Sequence, residues 1–221
     1  SMLDARMVEG RVRLAVRSTP HIEPLWEEDH GGGAADLREA VRETELEDWL
    51  PSWSVNGEDG EIPCGDLAHP ERFEGGSTVS VLSLAVDGAW SEVEPVTVMA
   101  DGGTVHGTAE SLYLVHTDHD WDAEDPRAES EIYRFVFDGH RPSLAGEAAV
   151  PGTLLNQYSM SEHDGHLRVA TTEDVTSWWW GVPGEIAPGG EPEPSRSTVT
   201  VLAIEDEALT EVGSVTGLGV D

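Results

Sequence analysis

The chain has 221 residues and carries 44 Asp and Glu against 12 Arg, with no Lys, so its formal net charge is −32 at pH 7. A surface this negative repels phosphate backbones and anionic lipid, which argues against nucleic acid and direct membrane binding and leaves cations and basic peptides as possible partners. The single Cys64 excludes an internal disulfide. No apolar run approaches the roughly 18 residues of a membrane helix, and we interpret Ser1-Met2 as a cloning scar.

Alternating polar and apolar residues predict strands along most of the chain. The predicted strands lie at 11–19, 77–88, 93–99, 111–117, 130–139 and 166–172, with a longer strand-rich stretch at 197–219. Segments rich in Gly, Pro and acidic residues predict loops at 27–33, 118–129 and 181–195. The last of these loops has low complexity and is expected to be flexible.

One helix interrupts the predicted strands, at about 34–50. Its apolar positions fall roughly on one face, and Pro51 ends the helical pattern. The positions on this face are Leu37, Val41 and Leu46. The helix and its flanking loops therefore form an insertion at about 27–60 within an otherwise all-β pattern.

An internal repeat is visible in three alternating strands that each run into an acidic turn: "TVSVLSLAVDG", "EIYRFVFDG" and "TVTVLAIED", which begin near 78, 131 and 198. A smaller strand follows each of them, and a third alternating strand follows in the first two units. "VRLAVRST" near the start matches that third strand. Recurring four-stranded units are typical of β-propeller blades. A β-sandwich is the alternative, since alternation alone fits both folds, but the repeated order of strand types favours the propeller.

The segments "VRLAVRSTP", "GGTVHGTAESLYLVHT", "PGTLLNQYSMSEHDGHLRVATT" and "VGSVTGLG" resemble the secreted β-propeller domain family of bacteria and archaea, which is distantly WD40-like. The resemblance implies an all-β propeller of four-stranded antiparallel blades and an extracellular or cell-surface location. It brings no catalytic residues to carry over. Because the family's domain is longer, the resemblance also implies that residues 3–221 form an N-terminal, incomplete part of a propeller.

The sequence His163-Asp164-Gly165-His166 allows two interpretations. Two imidazoles and a carboxylate could contribute to a metal site, which needs three or four converging ligands. Asp-Gly between two alternating segments is also a strong signal for a tight hairpin turn, in which Gly supplies the positive φ. No further His or Cys pattern supports a metal site, so the sequence predicts a hairpin with its turn at Asp164-Gly165.

A candidate calcium loop lies at 118–129, where Asp118, Asp120, Asp122 and Glu129 occupy positions 1, 3, 5 and 12. Ca²⁺ takes six to eight oxygen ligands, and loops of this spacing supply them from carboxylates. The pattern departs from the usual loop at position 6, where Ala123 replaces Gly. Because chance matches are common in so acidic a chain, a solvated loop remains the alternative to a weak Ca²⁺ site.

Three consecutive aromatic residues, Trp178, Trp179 and Trp180, stand beside the predicted flexible loop. Exposed aromatic rings could stack on a sugar or grip a peptide. The alternative is that they cover the core of a blade. Elsewhere, scattered residues such as Trp49 and Trp53 are interpreted as packing.

No recognised nucleophile motif or phosphate-binding loop occurs in the sequence, and no catalytic residue is assigned. The predicted function is a non-catalytic extracellular binding module that presents loops and blade faces to a peptide, glycan or protein. The alternative is a hydrolase or lyase acting at the propeller's central channel. Uncovered apolar faces on the first and last blades would also favour self-association.

Overall fold

The computed structural model describes residues 1–20, 34–55, 57–70, 75–86, 93–119, 128–138, 141–173 and 195–219. The chain divides into two compact units. The first comprises Ser1–Asp101 with Gly139–Pro142, and the second comprises Gly102–Asp138 with Ser143–Asp221. Among the described residues, no helix combines the length and apolar character needed to cross a membrane.

The first unit contains a five-stranded sheet and an insertion. The sheet strands are β1 (Met2–Val8), β2 (Arg11–Ser18), β5 (Leu67–Ala68), β6 (Thr78–Ala85) and β7 (Val96–Met99), arranged in the order β1-β2-β6-β7-β5. The pairs are antiparallel apart from the parallel pair of β5 and β7. The insertion contributes helix α1 (Ala34–Glu43), 3-10 turns at Leu46–Asp48 and Cys64–Asp66, and a hairpin of β3 (Ser52–Val55) and β4 (Glu58–Glu61).

Strand β6 lies at the centre of this sheet and is buried on both faces. Val79 and Val81 have no exposed surface, and Ser80 on the other face and Ser83 further along the strand are buried as well. The Ser80 hydroxyl shares a hydrogen bond of 2.8 Å with the Thr97 hydroxyl, and Ser83 accepts one of 3.0 Å from Arg11 Nε. Buried hydroxyls are tolerated when they are bonded in this way, so alternation here reflects paired polar groups rather than a solvent-facing side.

The inserted helix is present but shorter than predicted. Helix α1 ends at Glu43, and a separate 3-10 turn follows at Leu46–Asp48. The Thr44 hydroxyl donates to the Val41 carbonyl at 2.7 Å and accepts from Trp49 Nε1 at 2.8 Å. Local bonds of this kind compete with continued helix. The side chain of Val41 is 37% exposed, so the predicted apolar face is only partly covered.

The second unit consists of two four-stranded antiparallel sheets, each in meander order. The first sheet contains β8 (Thr104–Gly107), β9 (Ser111–His119), β10 (Ala128–Asp138) and β11 (Arg141–Pro151). The second contains β12 (Met160–His163), β13 (His166–Glu173), β14 (Arg196–Ile204) and β15 (Leu209–Leu218). Four-stranded antiparallel sheets are the kind of sheet that the repeat predicted, and they confirm the all-β, propeller-type architecture.

An apolar core joins the two sheets of the second unit. It is built from Tyr113, Val115, Ile132, Val150, Leu154, Met160, Leu167, Val169, Leu202 and Leu209. A pair of backbone hydrogen bonds between Thr153 and Thr172, of 2.9 and 3.0 Å, links the end of β11 to β13. The preceding Gly152 has φ 85°, and a Cβ there would lie 3.0 Å from the Thr172 carbonyl carbon, so this junction requires glycine.

The repeat is grouped differently from the prediction. Each sheet of the second unit begins with a four-residue strand, β8 or β12. The next strand, β9 or β13, is the type predicted to be third, and the strand predicted to be first, β10 or β14, follows it. Strand β2 likewise belongs with β6 and β7, and β1 completes its edge. A tight turn joins β12 to β13, so this short strand pairs with the strand that follows it. Strand β13, however, pairs with β14 across residues 174–195, so turn length alone does not set the grouping.

Strand β15 differs in burial from β11, its counterpart in the preceding sheet. Strand β11 buries Ala145 and Val150, which are 5% and 1% exposed. Beyond the buried Leu209, strand β15 is exposed throughout, and Val212 and Val215 are each 58% exposed. Apolar side chains on a long edge strand favour association with another strand or sheet.

Candidate binding site

The predicted hairpin at Asp164-Gly165 is confirmed. Strands β12 and β13 pair with His163 opposite His166, and Asp164 and Gly165 have φ values of 49° and 69°. Positive φ at both central residues is the geometry of a type I′ turn. Asp164 contacts both imidazoles. Its carboxylate lies 3.1 Å from His163 Nε2, and its backbone carbonyl lies 2.7 Å from His166 Nδ1.

The predicted calcium ligands are only partly described. Asp118 near the end of β9 and Glu129 at the start of β10 lie directly opposite each other in the strand register. Asp120 and Asp122 fall outside the described residues. Within the described ranges, no group of three or more His, Cys, Asp or Glu side chains is placed to hold a metal ion. The pairing of Asp118 with Glu129 brings two of the four carboxylates to one end of the hairpin, and Ca²⁺ binding stays a prediction.

The predicted aromatic ligand site, Trp178, Trp179 and Trp180, lies outside the described residues, as does the adjoining loop up to residue 194. A different aromatic residue, Trp53, which the sequence indicated as a packing residue, lines a cleft in the structure. Trp53 is half-buried on β3 and lines a cleft between the inserted hairpin and the sheet of the first unit.

This hairpin cleft has a volume of about 370 Å³, within the range of about 300–1,000 Å³ found for small-ligand sites. Strands β2 and β6 supply its floor, and the hairpin and neighbouring prolines supply its walls. Its lining consists of Val16, Ser18, Pro51, Ser52, Trp53, Glu58, Ile62, Ser80, Leu82, Val93 and Pro95. Most of this lining is apolar, and its polar members are Ser18, Ser52, Glu58 and Ser80. A mainly apolar lining with a few polar groups is common in binding sites.

Gly60 determines how the indole of Trp53 is held. The two residues are directly opposite in the β3–β4 register, and a Cβ on residue 60 would lie 2.4 Å from Trp53 Cζ2 and 2.6 Å from Cε2. The ring therefore lies flat across the glycine. A hydrogen bond of 2.9 Å from the Ile62 amide to the Pro51 carbonyl closes the base of the hairpin. Both features hold the aromatic wall in place before any ligand arrives.

The charge of the hairpin is entirely negative. Glu58 lines the cleft, and Asp59 and Glu61 are exposed on the same strand. Within the described part of the chain, Glu58 has no ion-pair or hydrogen-bond partner. The cleft thus combines an apolar floor, one aromatic wall and a carboxylate at its rim.

The sequence contained a signal for this hairpin. Asn56-Gly57 stands between two short segments, "SWSV" and "EDGE", and Asn-Gly is the strongest short-range indication of a hairpin turn. Gly57 has φ 85°, as such a turn requires. Both flanking segments are four residues long and the second is acidic, so their strand signal is weak and the sequence predicted only a helical and loop insertion here.

A second polar cluster lies in the other unit and centres on Glu162 of β12. Its carboxylate accepts hydrogen bonds from the Tyr113 hydroxyl at 2.8 Å and the Thr108 hydroxyl at 3.2 Å. Burial and then the neighbouring Glu162 raise the pKa of Tyr113 well above its usual value. A phenol held in its neutral form donates a stable hydrogen bond, so the cluster ties β9 to β12 rather than supplying a reactive group.

Comparison with known proteins identifies one family. A model of the beta propeller domain family matches residues 1–221. No curated protein matches the chain.

Proposed function

The chain belongs to the beta propeller domain family, and from this premise we propose that it is a non-catalytic binding module. A β-propeller domain by itself indicates binding or interaction at most. The module acts outside the cell or at its surface and presents loops and sheet faces to a peptide, glycan or protein.

The observation that supports this function is the hairpin cleft. Its aromatic wall is preorganised by Gly60, its floor is apolar, and its volume suits a side chain or a small group of a larger ligand. Aromatic side chains that present an apolar face at a cleft contribute strongly to recognition because they bury large areas at little entropic cost.

The catalytic alternative, a hydrolase or lyase at a central channel, would need an acid and a base with separated pKa values. The titratable cluster that bears on this idea pairs Tyr113 with Glu162. Because burial and Glu162 raise the pKa of Tyr113, this phenol stays protonated near neutral pH and cannot serve as a base. Tyr113 therefore gives the catalytic alternative no base.

The test uses peptide and glycan arrays probed with the native chain, a Trp53→Ala variant and a Tyr158→Ala control. Tyr158 is 85% exposed in the other unit, so its truncation removes an exposed aromatic ring away from the cleft. We expect ligands that bind the native chain to be retained by Tyr158→Ala and lost by Trp53→Ala. Ligands retained equally by both variants, or no ligand for the native chain, would contradict the proposal. Circular dichroism confirms that each variant is folded.

A further inference from the structure

We propose that the hairpin cleft binds the cationic side chain of an Arg or Lys within a basic peptide segment. This inference rests on the proposed binding function and names the chemistry of its ligand. It follows from three properties of the same cleft: the aromatic face of Trp53, the carboxylate of Glu58 and the apolar floor.

Trp53 and Glu58 lie on the same face of the hairpin. Trp53 is opposite Gly60 and Val55 is opposite Glu58, so the Trp53 and Glu58 side chains are diagonal neighbours in the ladder. Diagonal neighbours are separated by about 7–8 Å, within reach of long side chains. A cation placed over the indole, within about 6 Å of the ring centre, is therefore also near the carboxylate.

The apolar floor suits the stem of the same ligand. Val16 and Leu82 come from β2 and β6, and Ile62 is 6% exposed at the foot of the hairpin. Arg and Lys bury their methylene stems along such surfaces while their charged heads remain near solvent. A simple metal ion would gain nothing from this floor, whereas an amphipathic cationic side chain would use the floor and the rim together.

The charge of the cleft selects a cation over a neutral or acidic ligand. Glu58 is the charged residue in the lining of the cleft, which includes no Arg or Lys, while Asp59 and Glu61 add negative charge on the opposite face of the hairpin. The Ser80 hydroxyl at the floor is already bonded to Thr97, which removes one of the few groups that could bond a sugar. The net charge of −32 adds a long-range attraction that concentrates basic segments near the chain.

The experiment follows the indole of Trp53 directly. The chain has eight Trp, so 5-fluorotryptophan labelling yields a small set of ¹⁹F signals, and the signal missing from Trp53→Phe identifies residue 53. The probes are acetyl-Gly-Ser-Arg-Ser-Gly-amide and the same peptide with citrulline, which keeps the shape of Arg but lacks its charge. We expect the Arg peptide to shift the Trp53 signal and the citrulline peptide to bind about fivefold to thirtyfold more weakly.

Two charge variants provide the matched control. Glu58→Gln and Glu207→Gln each remove one negative charge, but Glu207 is exposed on the turn before β15 in the other unit. We expect Glu58→Gln to weaken the Arg peptide about threefold and Glu207→Gln to leave its affinity unchanged. Because Glu58 is exposed, its amide variant should fold like the native chain.

The outcomes separate this inference from the proposed function. Equal affinity for the Arg and citrulline peptides, with a shift of the Trp53 signal, would overturn the cationic ligand and leave the cleft as a binding site. Equal effects of Glu58→Gln and Glu207→Gln would also overturn it, since only the total charge would then matter. An unmoved Trp53 signal with both peptides would exclude a basic segment, while the arrays test the binding function independently.

Discussion

Replacing Gly60 with Ala should displace the indole of Trp53 and weaken the hairpin. The backbone of residue 60 does not require glycine, since Gly60 is absent from the positive-φ positions. On backbone entropy alone, Ala would stabilise the chain by about 0.4–1 kcal/mol. The new Cβ, however, would lie 2.4 Å from Trp53 Cζ2, which is far inside van der Waals contact.

The steric cost of the new methyl group should exceed the stabilisation from reduced backbone entropy. Overpacking of a methyl group into occupied space costs about 1–3 kcal/mol, and an indole pushed into solvent also loses part of its buried apolar area at about 25 cal/mol per Å². We expect Gly60→Ala to be destabilised by about 1–2 kcal/mol after the entropic gain, and we expect the cleft to lose its aromatic wall. The free energy of unfolding in urea and the ¹⁹F signal of Trp53 measure the two effects.

Gly65→Ala is the matched control. Gly65 lies in the same insertion, also lacks positive φ, and a Cβ there would meet nothing within 4 Å. It should therefore be neutral or slightly stabilising. If Gly60→Ala were as stable as Gly65→Ala, with the Trp53 signal unchanged, the indole would not lie across residue 60 and the description of the cleft would be refuted.

Three further predictions concern the other candidate sites. Calorimetry at millimolar Ca²⁺ should show weak binding by the native chain that Asp120→Ala abolishes, and identical heats for both would reject the site. Tyr113→Phe leaves Glu162 without its phenol donor and should cost about 1–3 kcal/mol of unfolding free energy. Because the folded pKa of Tyr113 is raised, its contribution is fully present below the unfolded pKa of about 10 and is lost as pH rises beyond it. Urea titrations from pH 8 to 11 should show this loss in the native chain and not in the variant, and parallel curves would contradict it. Self-association should strengthen with salt, which screens the negative charge, and should weaken when the exposed Val212 and Val215 are both replaced by Ser. Light scattering that finds a monomer at every protein and salt concentration would reject this idea.

The strands and turns that the sequence determined are those whose signal is local. Alternation along β9, β10 and β13 predicted strands within two residues of their observed ends, because side chains with a period of two must face opposite sides of a sheet. Asp164-Gly165 predicted its turn because only a few residue types accept positive φ. The repeated order of strand types along the chain predicted four-stranded sheets of the propeller type.

Elements whose structure depends on contacts with another segment of the chain were missed or predicted with the wrong ends. Strand β1 has mixed polarity, "MLDARMV", and it is a strand because it pairs with β2 from Met2 to Val8. The end of helix α1 depends on the Thr44 hydroxyl and its bond to Trp49, which the apolar periodicity does not report. The grouping of strands into sheets also depended on pairing across long connections, such as that of β13 with β14 across residues 174–195, which the order of the repeat does not report.

The hairpin cleft is a product of tertiary structure alone. Its lining comes from segments that are far apart in the chain, such as Val16, Trp53, Leu82 and Val93. Composition and periodicity describe each segment separately, so Trp53 reads as one scattered aromatic residue among several. The hairpin places Glu58 near this ring, and the packing of the hairpin on β2 and β6 adds the apolar floor. Contacts between distant segments are decided by packing and not by local propensity.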